Sequence, residues 1–182
     1  MSAQWESLLE QLVRERYTRL VGHAMLVCGS RHDAQDLVQE ALIATFSGRA
    51  RFTTVPQAEQ YVRRAIVTRS IDESRRRTRE RATAARLGGL ATAPVEIQPR
   101  GLGADVQRAL QALPPRERAC VVLRQVEDLS IRETATALGL SEGAVKRYTA
   151  DGTARLDAAL GTTTTEKETA QVRLLDGMGG AA

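Results

Sequence analysis

The stretch SIRETATALGLSEGAVKRY, residues 130–148, decides how this chain folds. Two short helices that cross near a right angle need a small residue where their backbones meet and an αL-tolerant residue in the turn. Ala135 and Gly139 occupy those positions, and Val145 is a stiff apolar residue that would lock the second helix onto the first. Ser141 follows the turn, where its hydroxyl could accept amide hydrogens as an N-cap. The stretch therefore predicts a helix-turn-helix, whose other inward residues are Ile131, Leu138, Leu140 and Tyr148.

The outer face of the second helix has the residue types that suit the major groove of DNA. Lys146 and Arg147 would offer cations to guanine edges or phosphates, and Gly143 would permit close approach. Glu142 and Thr149 are also expected to face outward. An ordinary helical hairpin in a bundle would need only the apolar period. Because the small residue, the turn glycine, the cap and the basic outer face coincide, the pattern favours DNA binding.

Composition places the chain among helical proteins with a mild basic excess. It has 182 residues, of which 42% are apolar and only 3% aromatic, so its core must be built from Leu, Val, Ile and Ala. The formal net charge of +4 fits a polyanionic partner without proving one. Near-exclusive use of arginine over lysine suits bidentate contacts with phosphate or guanine. A GC-rich genome would produce the same bias.

The sequence offers little material for catalysis or metal binding. Cys28 and Cys120 lie far apart and outside any CxxC pattern, and His23 and His32 are the only histidines. Since no carboxylate pair is placed for catalysis either, we expect no catalytic residue, no metal and no cofactor. The chain has neither a basic-then-apolar leader nor 18 consecutive apolar residues, so we expect a cytoplasmic protein without membrane contact.

Helical periodicity and its interruptions predict an all-α fold of two small helical domains joined by a flexible linker, the second containing the helix-turn-helix. The expected parts are residues 1–80, a linker at 81–103, a second domain at 104–160 and a disordered tail at 161–182. Helices are expected near residues 6–28, 33–46, 57–77 and 104–112. Another should begin at Pro114 and Pro115, with Ala119, Val122, Leu123 and Val126 facing inward.

The first domain combines an acidic helix with a basic loop and helix. The outward face of helix 33–46 is rich in carboxylates and amides, a pattern that on its own usually means only a solvated surface. The loop 48–57 carries Arg49, Arg51 and Phe52, and the next helix is rich in arginine. Single-stranded DNA requires such a surface, because phosphates need cations and unstacked bases need a ring. A solvated helix end would explain the arginines equally well.

Three phrases, in this order, resemble the extracytoplasmic-function (ECF) sigma factors of bacterial RNA polymerase. AQDLVQEALIATF, residues 34–46, is similar to the helix that docks on the clamp helices of the polymerase β′ subunit. YVRRAIVTRSIDESRRR, residues 61–77, is similar to the helix that reads the minus-10 promoter element. Residues 109–156 resemble the minus-35-binding domain, and YVRRA and the LPPRxRA phrase are typical of the actinobacterial SigE-type group. Thr68, where the family usually has Asn, and Gln125 and Val126, where aromatics are common, depart from the pattern.

The resemblance implies an alternative sigma factor, which binds core RNA polymerase and directs promoter recognition and opening without bond chemistry of its own. It implies three functional sets. The polymerase-docking set is Asp36, Leu37, Gln39 and Glu40; the minus-10 set is Arg49, Arg51, Phe52, Arg64, Arg69, Asp72 and Arg76; the minus-35 set is Ser141, Gly143, Lys146 and Arg147. The implied partners are the β′ clamp helices and β flap of core polymerase, promoter DNA and an anti-sigma factor.

Other functions stay open at the level of sequence. A stand-alone transcription regulator with a LuxR-like helix-turn-helix would normally carry an effector or receiver domain, and residues 1–80 show no period-two strands. A helical adaptor without nucleic-acid contact is disfavoured by Lys146 and Arg147 beside Ser141. Ala181 and Ala182, after a glycine-rich stretch, are similar to a degradation signal for the ClpXP protease, although an alanine-rich chain could end in this way by composition alone.

Overall fold

The computed structural model describes residues 2–47, 52–86 and 103–161, and within those ranges all regular secondary structure is helical. The all-α prediction is confirmed. The described ranges contain seven α-helices and one π-helical turn: α1 Ser2–Ala24, α2 Arg31–Ser47, α3 Val55–Arg86, α4 Ala104–Ala112, α5 Pro115–Val121, the π-turn Val122–Val126, α6 Ile131–Leu138 and α7 Glu142–Leu160.

Helices α1 to α3 pack together as the first domain. Their contact is built from residues with no exposed surface: Leu12, Leu20, Val38, Val62 and Ile66. Arg77 of α3 donates two hydrogen bonds to Asp33 at the start of α2, at 2.8 and 3.1 Å. These bonds hold the pKa of the Asp33 carboxyl below its ordinary value. α3 continues to Arg86, so the first six residues of the expected linker are helical.

The second domain is organised around the crossing of α5 and α7. Gly152 of α7 lies so close to α5 that a β-carbon there would be 2.7 Å from Cγ2 of Val121. Pro115 is the first residue of α5, where its missing amide hydrogen costs nothing. The α6–α7 pair then packs on α5 through a small cluster of Cys120, Ala135 and Val145.

The π-helical turn corrects one prediction from the sequence. Val126, expected to face inward, is 42% exposed, whereas Glu127 is buried. The amide of Glu127 donates to the carbonyl of Val122, an i→i+5 bond that takes one residue more than an α-helical turn. This extra residue rotates the following side chains, so Glu127 enters the interior in place of Val126.

The two domains are packed against each other. One hydrophobic cluster contains residues of both, with Leu110, Leu113, Leu123 and Leu129 of the second domain joined to the core of α1, α2 and α3. Helix α3 of the first domain contacts α5, the π-turn and α6. None of the described helices has both the length and the apolar character needed to span a bilayer.

Candidate nucleic-acid interface

The helix-turn-helix is built by local signals that the sequence displays. Ser130 and Glu133 form a reciprocal capping box at the start of α6, with the Ser130 amide donating to Glu133 Oε2 at 2.8 Å. Gly139 ends α6 with φ of 61°, a left-handed conformation that favours glycine. The Ser141 hydroxyl accepts from the Ala144 amide at 3.2 Å and caps α7. The predicted turn, the Ser141 cap and the packing residues of this motif are therefore confirmed, and the capping box of Ser130 is an addition from the structure.

The N-terminal half of α7 presents the predicted minus-35 residues to solvent. Ser141, Gly143, Lys146 and Arg147 are all exposed, and nothing lies within 4 Å of a β-carbon built on Gly143. The Arg147 guanidinium lies 5.1 Å from the centre of the Tyr148 ring, which holds this cation at the helix surface. Thr149 was expected to face outward and is half-buried instead.

Three of the predicted minus-10 residues share one exposed face of α3. Arg69, Asp72 and Arg76 are spaced by three and four residues, so their side chains line the same side of the helix. Their side chains are 39%, 78% and 60% exposed. Each pairs with a surface partner, Arg76 for example with Glu73 at 2.7 Å. Exposed ion pairs contribute little free energy, so these arginines can exchange their carboxylates for phosphates at small cost.

Arg64 lies apart from that face. Because Arg64 is five residues before Arg69, its side chain leaves the helix in a different direction from the other three. Arg64 is half-buried, and its Nε atom has no hydrogen-bond partner. The adjacent Arg63 reaches the second domain, where its guanidinium lies 2.8 Å from Glu127 Oε1. The side of α3 that carries Arg63 therefore faces the second domain, while other residues of the same stretch, such as Tyr61, stay exposed.

An aromatic cluster stands at the loop before α3. The Phe52 ring lies between Phe46 and Tyr61, with ring centroids 5.7 and 5.3 Å apart. Tyr61 is 49% exposed, so this cluster has an open face on which an unpaired base could stack. In the sequence, Tyr61 falls in the same helical stripe as the apolar residues Val62, Ala65 and Ile66, so the pattern alone gives no sign of its exposure. Arg49 and Arg51 lie outside the described residues.

The outward face of α2 contains most of the predicted polymerase-docking residues. Asp36 and Glu40 are each 58% exposed and Gln39 is exposed beside them. Leu37, in contrast, is only 5% exposed and packs in the core, so it lies beneath this face and not on it. Ile43, one turn beyond Glu40, is 67% exposed. In the sequence, the sign of this exposure is that Ile43 lies outside the inward-facing apolar stripe of α2.

Other predictions are not addressed by the described residues. Ala181 and Ala182 lie outside them. Within residues 2–47, 52–86 and 103–161, no group of three or more His, Cys, Asp or Glu side chains could hold a metal ion.

Two protein-family models match this chain, one over each helical domain. Residues 12–80 match the family model "Sigma-70 region 2", and residues 104–156 match "Sigma-70, region 4". The chain is 34% identical over 149 residues to the RNA polymerase sigma-E factor of Streptomyces coelicolor, covering 81% of this chain and 82% of the relative. It is 31% identical over 153 residues to the ECF RNA polymerase sigma factor SigM of Mycobacterium tuberculosis, covering 84% of this chain and 76% of the relative.

Two further comparisons differ in how much of the other protein they cover. Identity with the ECF RNA polymerase sigma factor SigE of Mycolicibacterium smegmatis is 35% over 143 residues, which is 75% of this chain but 55% of the relative. The chain thus spans little more than half of that protein. Among solved structures, the sigma factor RpoE of Bartonella quintana, in complex with the anti-sigma factor NepR, has the same fold, with a TM-score of 0.58 and 20% identity. The match covers 85% of this chain and 97% of that one.

Proposed function

Since this chain belongs to the ECF sigma factors, the alternative sigma factors that direct transcription initiation, we propose that its three exposed faces bind core RNA polymerase and the two elements of a promoter. It would act with the polymerase in the cytoplasm. The observation that carries this proposal is the order of the faces along the chain. An acidic helix, an arginine-rich helix beside an aromatic cluster and a helix-turn-helix follow each other within the two matched regions.

The face of α2 would dock on the β′ clamp helices. Asp36, Gln39 and Glu40 offer carboxylates and an amide on one exposed side, and Ile43 adds an apolar contact in the same row. A small apolar centre with a polar rim is the usual anatomy of a protein interface. Leu37 would support this face from beneath, through the core.

The α3 surface would bind the minus-10 element as single-stranded DNA. Arg69 and Arg76 would contact phosphates, while Phe52 and Tyr61 offer rings to an unpaired base. Asp72, the most exposed residue of this face, would accept hydrogen bonds from base amino groups. Capture of unpaired bases would offset the few kcal/mol that unstacking costs. Arg49 and Arg51 stay predicted members of this surface.

The N-terminal half of α7 would read the minus-35 element in the major groove. Lys146 and Arg147 supply the cations, Gly143 leaves room for the groove edge, and Ser141 can donate its hydroxyl to a phosphate while it caps the helix. This domain would also contact the β flap of the polymerase. An anti-sigma factor, the kind of protein bound to the Bartonella sigma factor, stays a proposed partner of this chain.

Run-off transcription with purified core polymerase tests the proposed function. The full chain should make initiation possible at a promoter that core polymerase alone does not use. A LuxR-like regulator would only alter the amount of transcript that another sigma factor already produces. If the amount of run-off transcript were the same with and without the chain on every template tested from its own genome, the proposal would be contradicted.

A further inference from the structure

Tyr148 joins α7 to α5 at the edge of the helix-turn-helix. Its ring packs on the small cluster of Cys120, Ala135 and Val145. Its hydroxyl accepts a hydrogen bond from Nη1 of Arg116, at 3.5 Å, although the two residues are 32 positions apart in the chain. Arg116 lies in the first turn of α5 and is exposed. A side chain of α7 thus reaches a cation that belongs to another helix.

A second cation lies against the same tyrosine. The Arg147 guanidinium carbon is 5.1 Å from the centre of the Tyr148 ring. The pKa of the Tyr148 hydroxyl is held below its ordinary value, mainly by the hydrogen bond from Arg116, and Arg147 acts in the same direction. Two positive groups therefore converge on Tyr148, one at its hydroxyl and one at its ring.

No carboxylate balances these two cations within the described residues. Neither Arg116 nor Arg147 forms a salt bridge in that part of the chain, and the acid that follows Arg116, Glu117, is paired with Arg155 at 3.3 Å. Like charges repel, and an anion placed between them reverses the sign of the interaction. Phosphate suits this place, because an arginine binds it with two parallel hydrogen bonds.

Arg116 lies beside the proposed DNA-reading face of α7 and not on it. The reading face comprises Ser141, Gly143, Lys146 and Arg147. Successive residues of an α-helix are about 100° apart around its axis, so Tyr148 leaves α7 one step round from Arg147. Tyr148 is half-buried whereas Arg147 is exposed. Arg116 continues the exposed surface beyond Tyr148, on α5.

The width of the major groove decides what a side chain in this position meets. The groove is about 12 Å wide, and an α-helix with its side chains is about 10–12 Å across. A helix that fills the groove therefore has base edges beneath it and the sugar-phosphate backbones along its flanks. A cation on a neighbouring helix, beside the reading face, meets a phosphate and not a base.

We propose that Arg116 and Arg147 form a clamp, centred on Tyr148, for one phosphate of the DNA backbone that borders the minus-35 element. This inference rests on the proposed function, because it takes α7 as the helix that enters the groove. Tyr148 is the positioning residue, since its hydroxyl holds Arg116 and its ring holds Arg147. Side chains that are already in place lose less conformational entropy on binding. The clamp contributes affinity and register but no sequence preference of its own.

Fluorescence anisotropy with two labelled DNA duplexes tests the clamp. One carries the minus-35 element of a promoter that supports run-off transcription with this chain, and the other has a scrambled sequence. Arg116→Ala should weaken binding to both duplexes by the same factor. A phosphate contact contributes about 0.9 to the slope of log K against log[salt], so this deficit should shrink about 3.5-fold from about 50 to about 200 mM salt.

Two variants control for the loss of charge. Arg116→Lys keeps the cation, so it should keep most of the parent's salt dependence. Arg108→Ala removes an exposed arginine of α4 that pairs with Asp105, and it should bind both duplexes as the parent does. Circular dichroism of every variant should match that of the parent, because the altered side chains are exposed or keep their packing.

Tyr148→Phe tests the positioning role. It removes only the hydroxyl, so the ring stays for packing and for Arg147. We expect a smaller loss of duplex binding than in Arg116→Ala. Adding Tyr148→Phe to Arg116→Ala should cause no further loss, because the hydroxyl acts through Arg116. A tyrosine that only supported the fold would weaken both backgrounds alike, and that result would overturn its positioning role.

Two results with Arg116→Ala would overturn the clamp. The first is parent-like affinity and salt dependence on both duplexes while Lys146→Ala weakens binding to the minus-35 duplex, which would leave the proposed function standing. The second is a loss confined to the minus-35 duplex, which would make Arg116 a base contact. A parent chain that binds neither duplex would contradict the proposed function together with the clamp.

Discussion

The packing of α7 on α5 leads to a prediction about Gly152→Ala. The added β-carbon would lie 2.7 Å from Cγ2 of Val121, and 3.4 Å from both Cβ and the carbonyl oxygen of Glu117. Contacts under about 3 Å between carbons require movement. Val121 is 5% exposed and Glu117 is 6% exposed, so neither can rotate freely out of the way. The helices must separate by several tenths of an ångström.

The magnitude follows from two opposing effects. Overpacking of a filled core usually costs about 1–3 kcal/mol. Alanine gains up to about 1 kcal/mol over glycine inside a helix. We therefore expect Gly152→Ala to lower the free energy of unfolding by up to about 2 kcal/mol, and by about 1–3 kcal/mol relative to a glycine-to-alanine change in the same helix that meets no contact. Since α7 carries Lys146 and Arg147, the proposed minus-35 contacts, its displacement should also weaken minus-35 binding.

Urea denaturation followed by circular dichroism measures this loss, with two matched controls. Gly143→Ala lies in the same helix where a β-carbon meets nothing, so it should be neutral or slightly stabilising. In a Val121→Ala background, which removes the nearest methyl group, Gly152→Ala should lose its cost, giving a clear coupling in the double-mutant cycle. If Gly152→Ala were as stable as Gly143→Ala, the close-packing explanation would be refuted.

Four other substitutions test the proposed faces. Lys146→Ala and Arg147→Ala should each weaken promoter binding in gel-shift titrations. If the lost contact is to a base, binding free energy falls by about 1–3 kcal/mol and specificity is relaxed at one position. If it is to a phosphate, binding to all sequences weakens alike and its salt dependence becomes less steep. If neither changed affinity, α7 would not be the reading helix. Asp36→Lys should abolish co-purification with core polymerase. Its circular dichroism spectrum should match that of the parent, because exposed charges contribute little stability. A loss of helicity would instead show that Asp36 has a structural role. Phe52→Ala should weaken binding of the minus-10 single strand by about 1–3 kcal/mol per stacked base and leave duplex minus-35 binding intact.

The helix-turn-helix could be predicted from the sequence because its determinants are local. The Ser130 and Ser141 caps, the left-handed Gly139 and the small Ala135 each act within a few residues of where they stand. Such signals depend on backbone geometry alone and are visible in one sequence. Exposure of Lys146 then followed from the helical period.

Features that depend on packing between distant segments could not be predicted in this way. The π-turn puts Glu127 in the buried position where an α-helical turn would put Val126, and the spacing of the apolar residues gives no sign of this extra residue. The contacts of Gln107 and Gln111 with the end of α1 join residues far apart in the chain. Leu37 shows the opposite case: the helical period groups it with the apolar Val38 and Ala41 and it is 5% exposed, whereas the resemblance assigned it to a docking surface.

Promoter opening is the central claim, and permanganate reactivity of thymines measures it most directly. Unpaired thymines react and paired ones do not, so the reagent reports melted DNA at each position. With both this chain and core polymerase present, thymines of the minus-10 region should become reactive, and with either component alone they should stay protected. Minus-10 thymines that react no more with both components than with core polymerase alone would contradict the account.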